Sequence, residues 1–367
     1  MSLSRISIGG AGKIINGYLF QKRNTITNMA AKKSGRTGVR RRRKSQKMQK
    51  QIMGILVVLV AAACLLIFGG GVPGSVPELA PLITDEHAFA MHAIDVGQAD
   101  AILLSKDPPY ALIDAGETMS PSEREAREKL FTYLDSLGVK RLEFLLLTHQ
   151  DYDHIGSALD VLKRYEVGTV YDNGITHTSA TYEKLMQYIL EEDISYRVVS
   201  AGDKIPSPWN DVTLNVLSPQ KDLIMAGSKP DINENSVVMK ATYKNVSYLL
   251  TGDAEKKAEE AMLAAGSDLN ADILKAGHHG SSTSSTKAFL NAVRPAVIVI
   301  SVGEGNEYGH PHKEPLERFV QMTKHIYRTD MDGDVVVTTD GEVYSVVTRK
   351  PHVYENVIVP NQPAAEA

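Results

Sequence analysis

LLLTHQDYDHIG, residues 145–156, is the stretch from which the rest of the chain is read. An apolar run closes at Thr148, and His149, Asp151, Asp153 and His154 follow within six residues. Asp, His and Gly also make turns. Four metal-competent side chains directly behind a hydrophobic strand are nevertheless costly to place without partners. Imidazole and carboxylate together suit Zn²⁺, Mn²⁺ or Fe²⁺. This segment is therefore read as a strand that delivers a metal-binding loop.

Moving outward, the same grammar recurs. Short apolar runs at 89–96, 101–104, 110–113, 168–171, 212–217, 236–243, 246–251, 272–276, 296–301, 334–339 and 343–348 read as strands. Amphipathic stretches at 121–137, 155–165, 179–192, 254–265, 284–293 and 313–323 read as helices. Mixed hairpins and helices predict an α/β (α+β) sandwich with helices covering its sheets, over residues 89–350.

Several of these strands also end in chemistry. YLLTGDAE (248–255) puts Asp253 behind a strand, with Gly252 permitting close approach; alone, this is only a turn signal. LKAGHHGSSTSS (274–285) carries Lys275, adjacent His278 and His279, and Ser281 and Ser282 in a hydroxyl-rich loop. Adjacent residues ordinarily point apart, so one histidine is expected to be a ligand and the other a supporting or substrate group. GNEYGHPHKE (305–314) offers Tyr308, His310 and His312. Six of the 11 histidines fall in these His-bearing segments, which scattered surface histidines would rarely do. Asp95, Asp100 and Asp114 also sit at strand ends; Asp95 is as readily turn chemistry, whereas Asp114 is read as a carboxylate orienting a ligand histidine.

Charge divides the chain. No acid precedes Glu78, while 14 of the 40 Lys and Arg lie in residues 1–50; the remainder holds 26 basic and 44 acidic side chains, a formal −18. A basic cytoplasmic segment (1–50) leads into a continuously apolar run, extended to 51–72, long enough at about 1.5 Å per residue to cross a bilayer. The positive flank places this signal-anchor with its N-terminus in the cytoplasm and the body outside the cell. A cleaved signal peptide and a lipoprotein signal at Cys64 are the competing readings; the apolar run continues past Cys64. Met29 opens a more ordinary signal-anchor, so translation is expected to start there. Residues 73–88 read as a Gly/Pro linker and 351–367 as a disordered tail. The single cysteine excludes a disulfide framework and a Cys-rich zinc site.

THQDYDH resembles the HxHxDH signature of metallo-β-lactamase-fold hydrolases, with Asp151 where the second His would stand. DVGQADAILL, LIDAG, LTHQDYDHIG, NENS, LLTGD, LKAGHHGS and YGHPH together resemble the hydrolase domain of the ComEC-type competence proteins, over about residues 90–348. The resemblance implies an αββα sandwich with two divalent metal ions, Zn²⁺ or Mn²⁺, at one edge. His149 and Asp151 would hold the first, Asp153, His154 and His279 the second, with Asp253 between them. Where relatives place a third first-site histidine, this chain offers DINENS (231–236), so Asn233 or Asn235 is the expected substitute. That departure, with Asp151, makes the first site harder and admits Mn²⁺.

Hydrolysis by activated water is then the implied reaction. Asp153 is expected to orient the water, and Lys275, His310 or His312 to contact phosphate or the leaving group. His278 is expected to support the centre, and Ser281, Ser282 and Tyr308 to meet substrate. The expected function is an extracellular phosphodiesterase or nuclease linked to DNA uptake, with single- or double-stranded DNA as partner, alongside a separate uptake channel, since one span forms none. The acidic body argues against a polyanion. A surface hydrolase of another phosphodiester or ester is therefore the alternative, and a non-catalytic binding module a lesser one. The motif neighbourhood does not fit a β-lactamase.

Overall fold

The computed structural model describes residues 87–106, 108–117 and 121–353. The basic segment, the 51–72 anchor, the linker up to residue 86 and the tail beyond residue 353 lie outside the described residues. Among the described residues, no helix is long and apolar enough to cross a membrane.

Two sheets form the centre. The first runs β17 (Tyr344–Thr348), β16 (Val335–Thr339), β1 (Phe89–Ala93), β2 (Ile102–Ser105), β3 (Tyr110–Ile113), β4 (Arg141–Leu146), β5 (Glu166–Asp172) and β6 (Ser195–Val198). It is antiparallel as far as β3 and parallel from β3 to β6. The second runs β15 (His325–Arg328), β14 (Val297–Ile300), β13 (Ile273–Lys275), β12 (Val246–Leu250), β11 (Val238–Tyr243), β8 (Val212–Ser218) and β7 (Lys204–Ile205), with β12 to β15 parallel. A small β9–β10 ribbon (Met225–Ala226, Lys229–Pro230) stands apart from both sheets.

Side-chain alternation explains the layers. In β4, Phe144 and Leu146 enter the core shared with the second sheet, while Leu145 between them enters a separate core. That separate core includes Leu130 and Leu134 of α1 (Pro121–Ser136), Val161 of α3 (Ala158–Arg164) and Leu185 of α4 (Ala180–Glu191). β14 behaves likewise: Val297 and Val299 face the first sheet, and Ile298 and Ile300 pack with Met262 of α5 (Lys256–Ala264), Phe289 of α6 (Lys287–Val293) and Phe319 of α7 (Lys313–Met322). Strands covered on both faces read as unbroken apolar runs, which is why 145–147 and 297–300 carry no polar alternation. The αββα sandwich expected from the sequence is the fold observed. Several short elements escaped the sequence, among them β6, β7, the β9–β10 ribbon, β15 and the single-turn α8 (Thr329–Asp332). β6 is an edge strand with a largely exposed SYRV pattern.

The parallel strands of both sheets deliver their carboxyl ends to one edge of the sandwich. Asp114 follows β3, the His149–His154 segment follows β4 and includes α2 (Tyr152–Ile155), Asp253 follows β12, and His278–His279 follow β13. Backbone bonds join the loops there: Asp114 N–H donates to Leu146 O at 2.8 Å, Val237 N–H to Thr148 O at 2.9 Å, and His278 N–H to Gly252 O at 3.2 Å.

Candidate metal centre

Asp253 is the hub. Its carboxylate is buried, with Oδ1 3.3 Å from His154 Nε2. Oδ2 lies 3.6 Å from His278 Nε2, 3.6 Å from His279 Nε2 and 4.0 Å from His149 Nε2. Asp153 Oδ2 stands 3.1 Å from His279 Nε2 and 3.7 Å from His154 Nε2, and Asp151 Oδ2 3.6 Å from His149 Nε2.

Each imidazole is oriented from behind. His154 Nδ1 donates to Asp114 Oδ2 at 2.8 Å, His278 Nδ1 to Glu255 Oε1 at 2.8 Å, and His279 Nδ1 to the Ser301 carbonyl at 2.9 Å. His149 Nδ1 lies 3.1 Å from Thr148 Oγ1, whose own proton goes to Asp114 Oδ2 at 2.7 Å, so this hydroxyl accepts from the imidazole. With Nδ1 held from behind, Nε2 faces inward in all four rings, where it can give its lone pair to a metal once any proton on it has left.

His149 Nε2, His154 Nε2 and Asp253 Oδ1 are buried without a hydrogen-bond partner. Orphaned buried polar atoms of that kind call for an ion, and imidazole backed by a carboxylate or carbonyl is how ligand histidines are held. Asp153, His154, Asp253 and His279 each bring a donor atom within 4.8 Å of the others, close enough for one shared cation. The residues fit divalent metal.

Electrostatics agree. Burial works against a charge on His154, but Asp253, Asp153 and Asp114 outweigh it and hold its pKa well above the ordinary range. Burial likewise opposes a charge on His279, and Asp253 with Asp153 and Asp100 pushes that ring up to about 9. Asp153 is held down at about 2, because the neighbouring imidazoles overcome its own desolvation. The site is built to keep its carboxylates ionised and to hold positive charge.

Backbone conformation overturns one sequence expectation. His278 and His279 do not point apart: both lie in the left-handed region, at φ 46° and 51°, and Gly280 follows at φ 77°. Consecutive non-glycine residues there are uncommon and cost energy. The curl turns both rings onto Asp253.

Lys275 is a second correction. It is neither exposed nor at the reacting edge; it is fully buried, with Nζ 2.8 Å from Asp100 Oδ2. Asp100 Oδ1 lies 3.6 Å from His279 Nδ1, so this ion pair braces the rear of the centre. Asn235 is not free to ligate: its amide bonds Ile224 N, Ile224 O and Asp231 O. Asn233 Oδ1 is buried without a partner. His312 accepts from Ser282 N–H at 2.9 Å through Nδ1, and its Nε2 lies 3.1 Å from Tyr308 O. With both ring nitrogens committed, His312 shapes the loop rather than contacting phosphate. Ser281 Oγ is tied to Thr283, and Ser282 is exposed. Tyr308 is 59% exposed and stacks on His310, whose ring lies 5.4 Å from that of His278.

Glu255, Thr148 and Gln98 join the site without a clear mark in the sequence. Glu255 has one signal, its place two residues after Asp253. Gln98 has only its place in DVGQADAILL; it reaches His310 Nδ1 at 3.4 Å and accepts from Gly303 N–H at 3.0 Å.

Gly252 permits the approach of the two halves. A Cβ there would lie 2.8 Å from Thr148 Cβ and Oγ1, at φ 50°. Gly252→Ala is expected to destabilise the fold by roughly 2–4 kcal/mol, from overpacking plus left-handed strain. It should also push Asp253 away from His149. Thermal unfolding and metal content of the purified variant check this; an unchanged midpoint with full metal content would refute it.

Comparison with known proteins fits this geometry. The metallo-beta-lactamase superfamily profile matches residues 94–304. The chain is similar to ComE operon protein 3 of Bacillus subtilis, at 33% identity over 268 residues, 70% of this chain and 33% of that protein. It is 32% identical to Recombination protein 2 of Haemophilus influenzae, over 68% of this chain and 29% of that protein. It is 29% identical to Competence protein ComA of Neisseria gonorrhoeae, over 70% of this chain and 33% of that protein. The chain thus spans about a third of the length of these relatives. With the sandwich and the histidine–aspartate centre at its edge, the chain belongs to the metallo-beta-lactamase superfamily.

Proposed function

We propose that the chain is a membrane-anchored phosphodiesterase, acting outside the cell on DNA during its uptake. The observation that carries the chemistry is the Asp253 carboxylate among four inward-facing Nε2 atoms. Similarity to competence proteins directs the choice of substrate. Divalent ions held there would supply Lewis-acid activation of water and neutralise charge on a phosphate.

The chain's own groups account for the rest. Asp153 stays ionised and accepts a hydrogen bond from the attacking water, orienting it. Gln98 donates through Nε2 to His310 Nδ1, because its Oε1 is occupied by Gly303 N–H. His310 Nε2 therefore carries the ring's proton. Burial, then the neighbouring His279, His278 and His312, lowers the His310 pKa to about 3. A neutral His310 donates a hydrogen bond to a phosphoryl or leaving-group oxygen and has no second proton to give near neutral pH. Tyr308 stacks on that ring and forms the exposed rim beside it.

A second reading is favoured by the cavity beside the centre. About 370 Å³ in volume, it includes Gln98 and Asn306 and is lined by Asp95, Glu117, Glu125, Glu304 and Asp330 against Lys129 and Lys350. Such a wall opposes a polyanion and suits an envelope phosphodiester or ester bearing positive charge.

The deciding experiment assays cleavage of single- and double-stranded DNA with Mn²⁺, Zn²⁺ or EDTA, beside the Asp153→Ala/His154→Ala double variant. Metal-dependent cleavage that disappears in the variant is the expected result. Intact DNA, with metal bound and bis(p-nitrophenyl) phosphate still hydrolysed, would move the substrate to the second reading.

A further inference from the structure

We infer that His278, oriented by Glu255, is a ligand of the first metal position, where it replaces the histidine that the DINENS segment lacks. This rests on the two-metal reading above but not on DNA as substrate.

Several observations converge on it. His278 Nδ1 donates to Glu255 Oε1 at 2.8 Å, and the same oxygen accepts from Thr283 Oγ1 at 2.7 Å, so the carboxylate is itself fixed. This is the arrangement Asp114 makes behind His154, with Thr148 as the hydroxyl. His278 Nε2 then faces Asp253 Oδ2 at 3.6 Å, the oxygen that also faces His279 Nε2 at 3.6 Å and His149 Nε2 at 4.0 Å; with His279 already serving the second position, His278 is the imidazole left to join His149. Of the two expected substitutes, Asn233 and Asn235, Asn235 is consumed by backbone bonds. Finally, the left-handed backbone at His278 is strain, and turning the ring toward Asp253 accounts for it.

The assignment changes the character of the centre. The second position has His154, His279 and Asp153, with Asp253 shared. The first becomes His149, His278 and Asp151, with the same shared carboxylate. Each half holds two imidazoles and one aspartate of its own, so the first site is not the oxygen-rich, harder one that the sequence alone implies. One kind of divalent ion is expected to fill both halves with similar affinity.

The test is metal stoichiometry on the full chain, loaded with Mn²⁺ and measured by elemental analysis and electron paramagnetic resonance. Two variants serve. His278→Gly accepts φ 46° without penalty and so should fold; Glu255→Gln keeps the shape while removing the charge behind the imidazole. The unchanged chain is expected to bind two ions per chain with an exchange-coupled spectrum. His278→Gly should retain one ion and show an isolated six-line signal. Glu255→Gln should weaken one of the two ions by about 10–100-fold. Two ions bound to His278→Gly with undiminished affinity would overturn the assignment, and so would an unchanged chain that binds only one ion. Two ions bound by a chain that leaves DNA intact would remove the DNA reading and leave this assignment standing.

Discussion

Asp253→Asn is expected to empty the centre of metal and lower hydrolysis of bis(p-nitrophenyl) phosphate by on the order of 10³-fold or more. The size comes from the several kcal/mol that bound metal contributes to a charged transition state, at about tenfold per 1.36 kcal/mol. The position decides why this residue should matter more than any other. Asp253 faces His154 through one oxygen and His149, His278 and His279 through the other. It is the anion common to both halves, so its loss does not leave one half intact. The asparagine keeps the volume and can still receive the turn around Gly252, so the fold should survive. His154 and His279, deprived of the charge that raises them, should fall back toward ordinary pKa values. Metal analysis of the purified variant, its melting curve and its hydrolysis rate are the measurements. A variant that keeps both metals, or hydrolyses at an appreciable fraction of the original rate, would show that Asp253 packs the centre without governing it.

The part of this centre legible in the sequence is the part carried by strand ends. Apolar runs buried on both faces announce β4, β12, β13 and β14, and the residues next along the chain must lie at the carboxyl ends of those strands. His149, Asp153, His154, Asp253 and His279 are therefore visible in one dimension. Backbone conformation and third-party contacts are not. Nothing in GHHGS states that two successive residues adopt left-handed angles, so divergence is the natural expectation for the pair; the structure curls both rings inward. Lys275 ends a strand like a reactive residue but is drawn inward by Asp100, from a distant part of the chain. Asn235 sits where a ligand is wanted and instead closes the loop it belongs to. Gln98 reaches His310 from the far end of the domain sequence, a contact no local pattern encodes.

Metal affinity should be steeply proton-linked, rising about hundredfold per pH unit through neutrality and losing the His279 share of that slope above about pH 9. The cause lies in the metal-free centre. His279 titrates at about 9 and His154 well above its ordinary range, so near neutral pH both rings carry a second proton among the carboxylates. An ion entering the group Asp153, His154, Asp253 and His279 must displace about two protons. The same shifts predict the stability of the metal-free chain, with the sign fixed by linkage. A histidine raised from 6.5 to about 9 contributes stability fully below pH 6.5 and loses it as pH climbs through 9. Asp153, lowered from 3.8 to about 2, contributes above pH 3.8 and loses that only as pH falls through 2. The metal-free melting temperature should therefore decline between pH 6.5 and 9, while the loaded chain, whose imidazoles are held by metal rather than protons, should not follow it. Calorimetric titration in two buffers of different ionisation enthalpy counts the released protons directly. Affinity independent of pH, with no proton released near neutrality, would mean that the rings are neutral before metal arrives and that the carboxylates around them fail to hold the charge their geometry implies.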